Sequence, residues 1–161
     1  NLTGSSKYLV SSHNSPLILM NNCKPINLLK IIKKGTEDFL SPLNMSIFEN
    51  NCLLVGKGLL KILDTNIFKI SNDNENIIDK KDLKKLSACE SLDINNSIIG
   101  SFDGRLRLYD LRDQKISREF SPLHFDAIMN IRKITNNQFA TLARNDDNIY
   151  IWVILKGYQS N

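Results

Sequence analysis

The sequence predicts an all-β fold, built from short antiparallel strands in four repeating units. Three observations predict it. Four segments share one alternating apolar pattern: Leu17-Ile18-Leu19-Met20-Asn21, Leu60-Lys61-Ile62-Leu63-Asp64, Leu106-Arg107-Leu108-Tyr109-Asp110 and Ile149-Tyr150-Ile151-Trp152-Val153. Alternation of this kind places every second side chain on one face of a strand. The fourth positions, Met20, Leu63, Tyr109 and Trp152, stand 43, 46 and 43 residues apart. Each segment is also preceded by a second apolar run ending in a turn and followed by a more polar run. A period of roughly 40–45 residues with four strands per unit is that of a β-propeller blade.

The remaining strands follow in order. The runs before the central strands are Tyr8 to Ser12, Cys52 to Gly56, Ser97 to Ser101 and Gln138 to Leu142. Asp103-Gly104 supplies the positive φ that a tight hairpin needs, and the next strand starts at Arg105. Ile26 to Ile32, Asn66 to Ile70 and Gln114 to Phe120 read as outer, solvent-facing strands. Asn44 to Phe48, Leu86 to Leu92 and Ala127 to Ile134 read as inner strands. The polar stretch 71–85 is an insertion loop between blades, with Asp79 to Leu86 able to form a charged turn of helix.

Composition narrows the function. The chain has 161 residues, 42% hydrophobic and 24% charged, enough to bury a core. A net charge of +4 is compatible with an acidic partner but far from that of a dedicated nucleic-acid-binding domain. Cys23, Cys52 and Cys89 are odd in number and widely spaced, which suggests neither a disulfide framework nor a zinc site. The Asn-x-Ser/Thr sequons at Asn1, Asn44 and Asn95 are what a chain so rich in asparagine produces by chance. No apolar run is long enough to cross a bilayer, and no signal-peptide pattern opens the chain. No acid pair, metal-ligand cluster, phosphate loop or activated nucleophile points to an enzyme, and no cofactor or small-molecule substrate is implied.

The repeats resemble the WD40 superfamily across essentially the whole chain. The resemblance implies a partial WD40-type β-propeller of about four blades of four antiparallel strands, at about residues 1–34, 43–70, 86–120 and 124–161. The Trp-Asp dipeptide is degenerate throughout: Met20-Asn21, Leu63-Asp64, Tyr109-Asp110 and Trp152-Val153. In WD40 blades a His, a Ser or Thr, an Asp and a Trp form a buried hydrogen-bonded network. His124, Thr141, Asp146 and Trp152 resemble that set, with Thr141 about one position off the usual register. The histidine then has a structural role, and the strand–nucleophile–helix context of a hydrolase triad is absent.

Within the superfamily, the order of motifs is similar to the telomerase Cajal-body WD40 protein family and its yeast relative linked to pre-mRNA splicing. The residues are Asn14-Ser15-Pro16 entering Leu17 to Asn21, Gly56-Lys57-Gly58 entering Leu59 to Thr65, Gly100 to Leu106, and Leu142 to Asp147 with Trp152. The family's Arg after the Asn-Pro turn is missing, and 33–41 preserve little of its inter-blade loop. This resemblance implies a nuclear, non-catalytic scaffold that assists pre-mRNA splicing or ribonucleoprotein biogenesis, with protein partners and RNA as a further partner. The alternative is a subunit of another assembly, such as a ubiquitin-ligase receptor or vesicle-trafficking complex, in nucleus or cytoplasm. Arg105 and Arg107, alternating on one strand face, are the candidate contacts for RNA or an acidic partner; otherwise they form a solvated face that discourages edge pairing. Roughly three and three-quarter blades fit the chain, where propellers have about 4–8. The expectation is that the missing half lies upstream and that this segment alone is poorly soluble or self-associates.

Overall fold

The computed structural model describes residues 7–10, 17–21, 24–29, 43–56, 58–64, 67, 69–70 and 85–155. Fourteen strands among them form four antiparallel sheets, each a simple meander. The first holds β1 (Lys7–Val10), β2 (Leu17–Asn21) and β3 (Lys24–Leu29). The second holds β4 (Asn44–Phe48), β5 (Asn51–Gly56), β6 (Leu59–Asp64) and β7 (Lys69–Ile70). The third holds β8 (Leu86–Ser91), β9 (Asn96–Ser101), β10 (Leu106–Asp110) and β11 (Lys115–Phe120). The fourth holds β12 (Ile128–Thr135), β13 (Gln138–Ala143) and β14 (Ile149–Val153).

Sheets two to four stack face to face. Between the second and third lies a core of Leu53, Val55, Leu86, Cys89, Ile99, Tyr109 and Leu111. Between the third and fourth lies another, of Ala88, Leu92, Ile98, Leu106, Phe120, Ile128, Ile131 and Phe139, with Trp152 packed against it. Neighbouring Ile98 and Ile99 serve opposite cores, and both are fully buried. A strand covered on both faces reads as an apolar run instead of alternating. Phe139 stacks on Trp152 with centroids 6.0 Å apart, and Phe120 meets both rings edge-on. Such pairs contribute about 0.5–1.5 kcal/mol beyond the area they bury.

Two glycines set how closely the third and fourth sheets approach. A Cβ at Gly100 would lie 2.8 Å from Ile128 Cγ2 and 2.9 Å from its Cβ. At Gly104, where φ is +80°, it would lie 2.3 Å from the carbonyl oxygen of His124. The hairpin turn of one blade therefore abuts the backbone of the next, and only glycine both adopts that φ and leaves the room.

The aspartates that survive from the degenerate dipeptide have a local role. Asp64 accepts the Ile67 N–H at 3.2 Å, and Asp110 accepts the N–H groups of Arg112 and Asp113 at 2.9 and 3.1 Å. Each closes the turn leading to the fourth strand of its blade, as carboxylates do in Asx turns. Val153 holds the corresponding place in the last blade.

Several strand limits differ from the sequence reading. β3 starts at Lys24, not Ile26, because Lys24 already pairs with Asn21 of β2. Among the described residues of the run from Asn66 to Ile70, Lys69–Ile70 pair with β6 and Ile67 belongs to the turn capped by Asp64. β11 starts at Lys115 because Gln114 takes a left-handed φ of 50°. β10 starts at Leu106, one residue after Arg105. The end of the outer run at Ile32, the residues after Val10, the Asn-x-Pro turn, most of the 71–85 loop and the tail after Leu155 lie outside the described residues.

Gly100→Ala lowers the free energy of unfolding by about 1–3 kcal/mol, the range for overpacking against a β-branched neighbour. Gly104→Ala costs more, because backbone strain of about 1–2 kcal/mol adds to a clash with backbone. Urea midpoints of the two variants check the order.

Candidate functional site

The loop end at which β8 and β12 begin and β9 and β13 finish gathers most of the buried polar chemistry. Its centre is His124, on the connection from β11 to β12. Nδ1 of His124 lies 2.7 Å from Asp146 Oδ2, Nε2 lies 2.7 Å from Thr141 Oγ1, and Trp152 Nε1 donates to the same Oγ1 at 2.8 Å. The structure thus joins His124, Thr141, Asp146 and Trp152 in one chain. Donor chemistry orients it. The carboxylate only accepts, so Nδ1 carries the hydrogen facing Asp146. The indole only donates, so the Thr141 hydroxyl hydrogen is free to point at Nε2. Thr141 pairs with Ile131 in the regular stretch of the β12–β13 ladder.

The His–Thr–Asp order is that of a hydrolase triad, but Thr141 and His124 are only 1% and 2% exposed. The hydroxyl already accepts from Trp152, and Tyr150 covers the imidazole edge-on at 4.8 Å. A substrate carbonyl has no route to that oxygen. The network braces the corner.

Next to it, Arg144 grips Asp126 through two nitrogens at 3.2 and 3.0 Å, and Asn145 adds a bond at 2.9 Å. The Arg144 guanidinium, helped by the Ala127 N–H, holds the Asp126 carboxyl down at about 2. His124 and the Asn148 N–H lower Asp146 likewise. These contacts fix the loop carrying Phe125, which is 99% exposed, and Leu123, which is 44% exposed.

The third blade builds the equivalent corner from ions. Asp103 precedes Tyr109 by six residues, as Asp146 precedes Trp152, and Lys85 Nζ lies 3.0 Å from it in place of a histidine. Desolvation raises the Asp103 pKa, but Lys85 and Arg105 outweigh it and the net shift is downward. Arg105 is half-exposed and lies 3.5 Å from Glu119. Arg107 is 2% exposed, donates to Ser101 Oγ at 2.8 Å and reaches Glu119 at 3.3 Å. Arg107, expected from the sequence either to contact RNA or an acidic partner or to lie on a solvated face, is instead interior, on the face of β10 that packs against the second sheet. The partner was legible only once register was known: Arg107 and Glu119 are cross-strand neighbours on β10 and β11.

A third cluster, unread in the sequence, ties the inner strands. Glu90 on β8 accepts the Lys133 N–H of β12 at 3.2 Å and the Ser46 hydroxyl of β4 at 3.5 Å. Arg132 lies 3.9 Å away, Ser46 accepts the Ser91 N–H at 2.7 Å, and Lys133 Nζ donates to the Leu92 carbonyl. One carboxylate thereby spans three blades. Among the described residues no group of His, Cys, Asp or Glu could hold a metal, and no helix is long and apolar enough to cross a membrane. Burial pushes the Cys52 thiol up to about 12 and Cys89 well above its ordinary value, which leaves both as unreactive packing groups. Cys23 lies outside the described residues.

Neither a protein-family profile nor a curated protein matches the chain. Solved structures do. U3-55K superposes with a TM-score of 0.75 at 11% identity, over 92% of this chain and 46% of that one. The RRP9 WD40 repeats superpose with the same score and identity, over 92% and 45%. The computationally designed Ika4 protein gives 0.67 at 14% identity, over 94% of this chain and 87% of its own. The chain spans less than half the length of the first two.

Thr141→Val leaves the Trp152 N–H and a ring nitrogen of His124 without a partner, and costs about 1–3 kcal/mol. Urea unfolding followed by the fluorescence of Trp152, the single tryptophan of the chain, measures it.

Acid exposes the carboxylates. Asp103, Asp110, Asp126 and Asp146 all have folded pKa values below the ordinary 3.8. Their contribution to stability is fully present above that value and is lost as pH falls through the folded values. The urea midpoint is therefore flat with respect to these groups above about pH 5 and drops steeply from pH 4 towards 2. Midpoints in a pH series check this.

Proposed function

We propose that this chain, an arc of WD40-type β-propeller, serves as a non-catalytic scaffold that presents the loop end of its third and fourth blades to a protein partner. One observation carries the reading: Phe125 stands fully exposed beside Leu123 on a loop held at both flanks, by the His124 network and by the Asp126–Arg144 pair. A large apolar side chain on a pre-ordered loop loses little further freedom on binding, which is what a hot spot requires. Propellers supply rigid rings of such loops, and WD40 domains generally mediate contacts between proteins.

The finer reading is a nuclear scaffold in splicing-linked or other ribonucleoprotein assembly. It is supported by the order of blade motifs that resemble the telomerase Cajal-body family and its yeast relative. The charges at this loop end favour a protein as the direct contact. Lys85, Arg105, Arg107 and Arg144 each face a carboxylate of Asp103, Glu119 or Asp126. A direct phosphate contact in this reading falls to the half-exposed Arg105, while Arg107 supports it from the interior.

The test is recovery of the tagged full-length protein from its native cells, with wild type beside Phe125→Asp. The expected result is a specific set of proteins on the wild type, reduced about tenfold or more by the substitution, with unchanged thermal stability. Co-recovered ribonucleoprotein components support the finer reading, and trafficking or ubiquitin-ligase subunits support the alternative assembly. An unchanged protein set on Phe125→Asp contradicts the loop as the docking point.

A further inference from the structure

Three of the four prolines stand in one tripeptide, Ser-Pro-Leu: Ser15-Pro16-Leu17, Ser41-Pro42-Leu43 and Ser121-Pro122-Leu123. The last falls wholly within the described residues. It follows the end of β11 at Phe120 and leads to His124. Ser121, Pro122 and Leu123 are exposed between the buried Phe120 and His124, and none of the three belongs to a helix, strand or turn. Proline biases the residue before it towards extended backbone. An exposed, extended serine outside any ladder is the form in which a protein kinase takes its substrate. Pro122 also lacks an N–H. A kinase whose cleft offers that position no acceptor accepts this serine and refuses one followed by an ordinary residue.

The register supplies a partner for the added charge. Leu106 pairs with Phe120 and Arg107 with Glu119, so one step further Arg105 stands opposite Ser121. Arg105 is held loosely: it is 47% exposed and lies 3.5 Å from Glu119 and 3.9 Å from Asp103. Exposed ion pairs of this kind contribute little. A phosphate, with nearly two negative charges and three acceptor oxygens, is the stronger partner for a guanidinium. Lys85 keeps Asp103 at 3.0 Å and Arg107 keeps Glu119 at 3.3 Å, so both carboxylates retain a cation when Arg105 turns away.

We propose that Ser121 is a phosphorylation site for a proline-directed kinase and that Arg105 receives the phosphate. In the transfer, Ser121 Oγ attacks the γ-phosphorus of ATP. The Oγ–P bond forms, the bond to the β-phosphate oxygen breaks, the hydroxyl proton passes to the kinase's base, and ADP leaves. The product sets a dianion two residues from Leu123 and four from Phe125. A partner that covers this loop with apolar surface then strips water from that charge, so the modification releases it. The release rests on the docking role of Phe125; the modification does not.

The full-length protein, incubated with a mitogen-activated protein kinase and Mg–ATP and mapped by peptide mass spectrometry, tests the site. The expected result is phosphate on Ser121 of the folded protein, absent from Ser121→Ala and slowed about tenfold or more by Pro122→Ala, with the Trp152 emission of both variants unchanged. Phosphate on Ser121 only after unfolding in urea overturns the site. The phosphorus-31 resonance of the modified serine tests the pairing. It titrates below the ordinary second pKa of about 6 despite the opposing charges of Glu119 and Asp103, and Arg105→Gln raises it. A titration indifferent to Arg105 overturns the pairing. Partner recovery on phosphorylated and unmodified protein tests the release. Loss of partners on phosphorylation supports it. Partners lost on Phe125→Asp but kept on phosphorylation overturn the release and leave docking standing. Partners kept in both cases overturn docking and the release together, and leave the modification site standing.

Discussion

A sheet that is apolar on both faces must be covered twice, and the third blade is such a sheet. Ile98 and Ile99 are adjacent in sequence, point in opposite directions and are both fully buried. Each carries about 1.5–3 kcal/mol of burial that no single sheet could supply alone. The rest of the arrangement follows from this. Gly100 and Gly104 lack side chains so that the fourth blade can approach, and Cys89 is a small packing group between the second and third sheets. The same constraint makes the outer face of the fourth blade conspicuous: Ile149 and Ile151 repeat the apolar pattern there at 67% and 68% exposure.

The two loop-end corners show one structural problem solved with different chemistry. In the fourth blade the aspartate meets an imidazole that is itself sealed in, so both ring nitrogens need partners. Asp146 and Thr141 provide them. In the third blade the aspartate meets Lys85, whose ammonium stays half in water and needs only one protein contact. The buried version fixes a rotamer and a tautomer; the exposed one contributes less, as ion pairs in high dielectric do. Glu90 performs a comparable task at the inner strands, where it ties three blades with one carboxylate.

Much of the fold was legible because its signals are periodic. Central strands were found from alternation, and hairpins from Asp103-Gly104 and its counterparts. The His124 network could be picked out because Trp152 and Asp146 keep a blade-like spacing. What escaped reading depends on register and stacking, which sequence shows only indirectly. Arg107 looks like a surface residue until β10 is paired with β11 and covered by the second sheet. Ile67 looks like part of a strand until Asp64 captures its N–H. Glu90 is one acid among many until β4, β8 and β12 lie side by side. Phe125 gives no periodic signal, since a loop residue's exposure is set by its neighbours' bonds.

Native-state amide hydrogen exchange tests the stacking account most directly. Opening free energy should follow the number of covered faces. The account predicts that the paired amides of β9 and β10 exchange only through global unfolding, with its full denaturant dependence, while the β13–β14 ladder opens locally at lower cost. Protection of the β13–β14 ladder equal to or greater than that of β9 and β10 would contradict it.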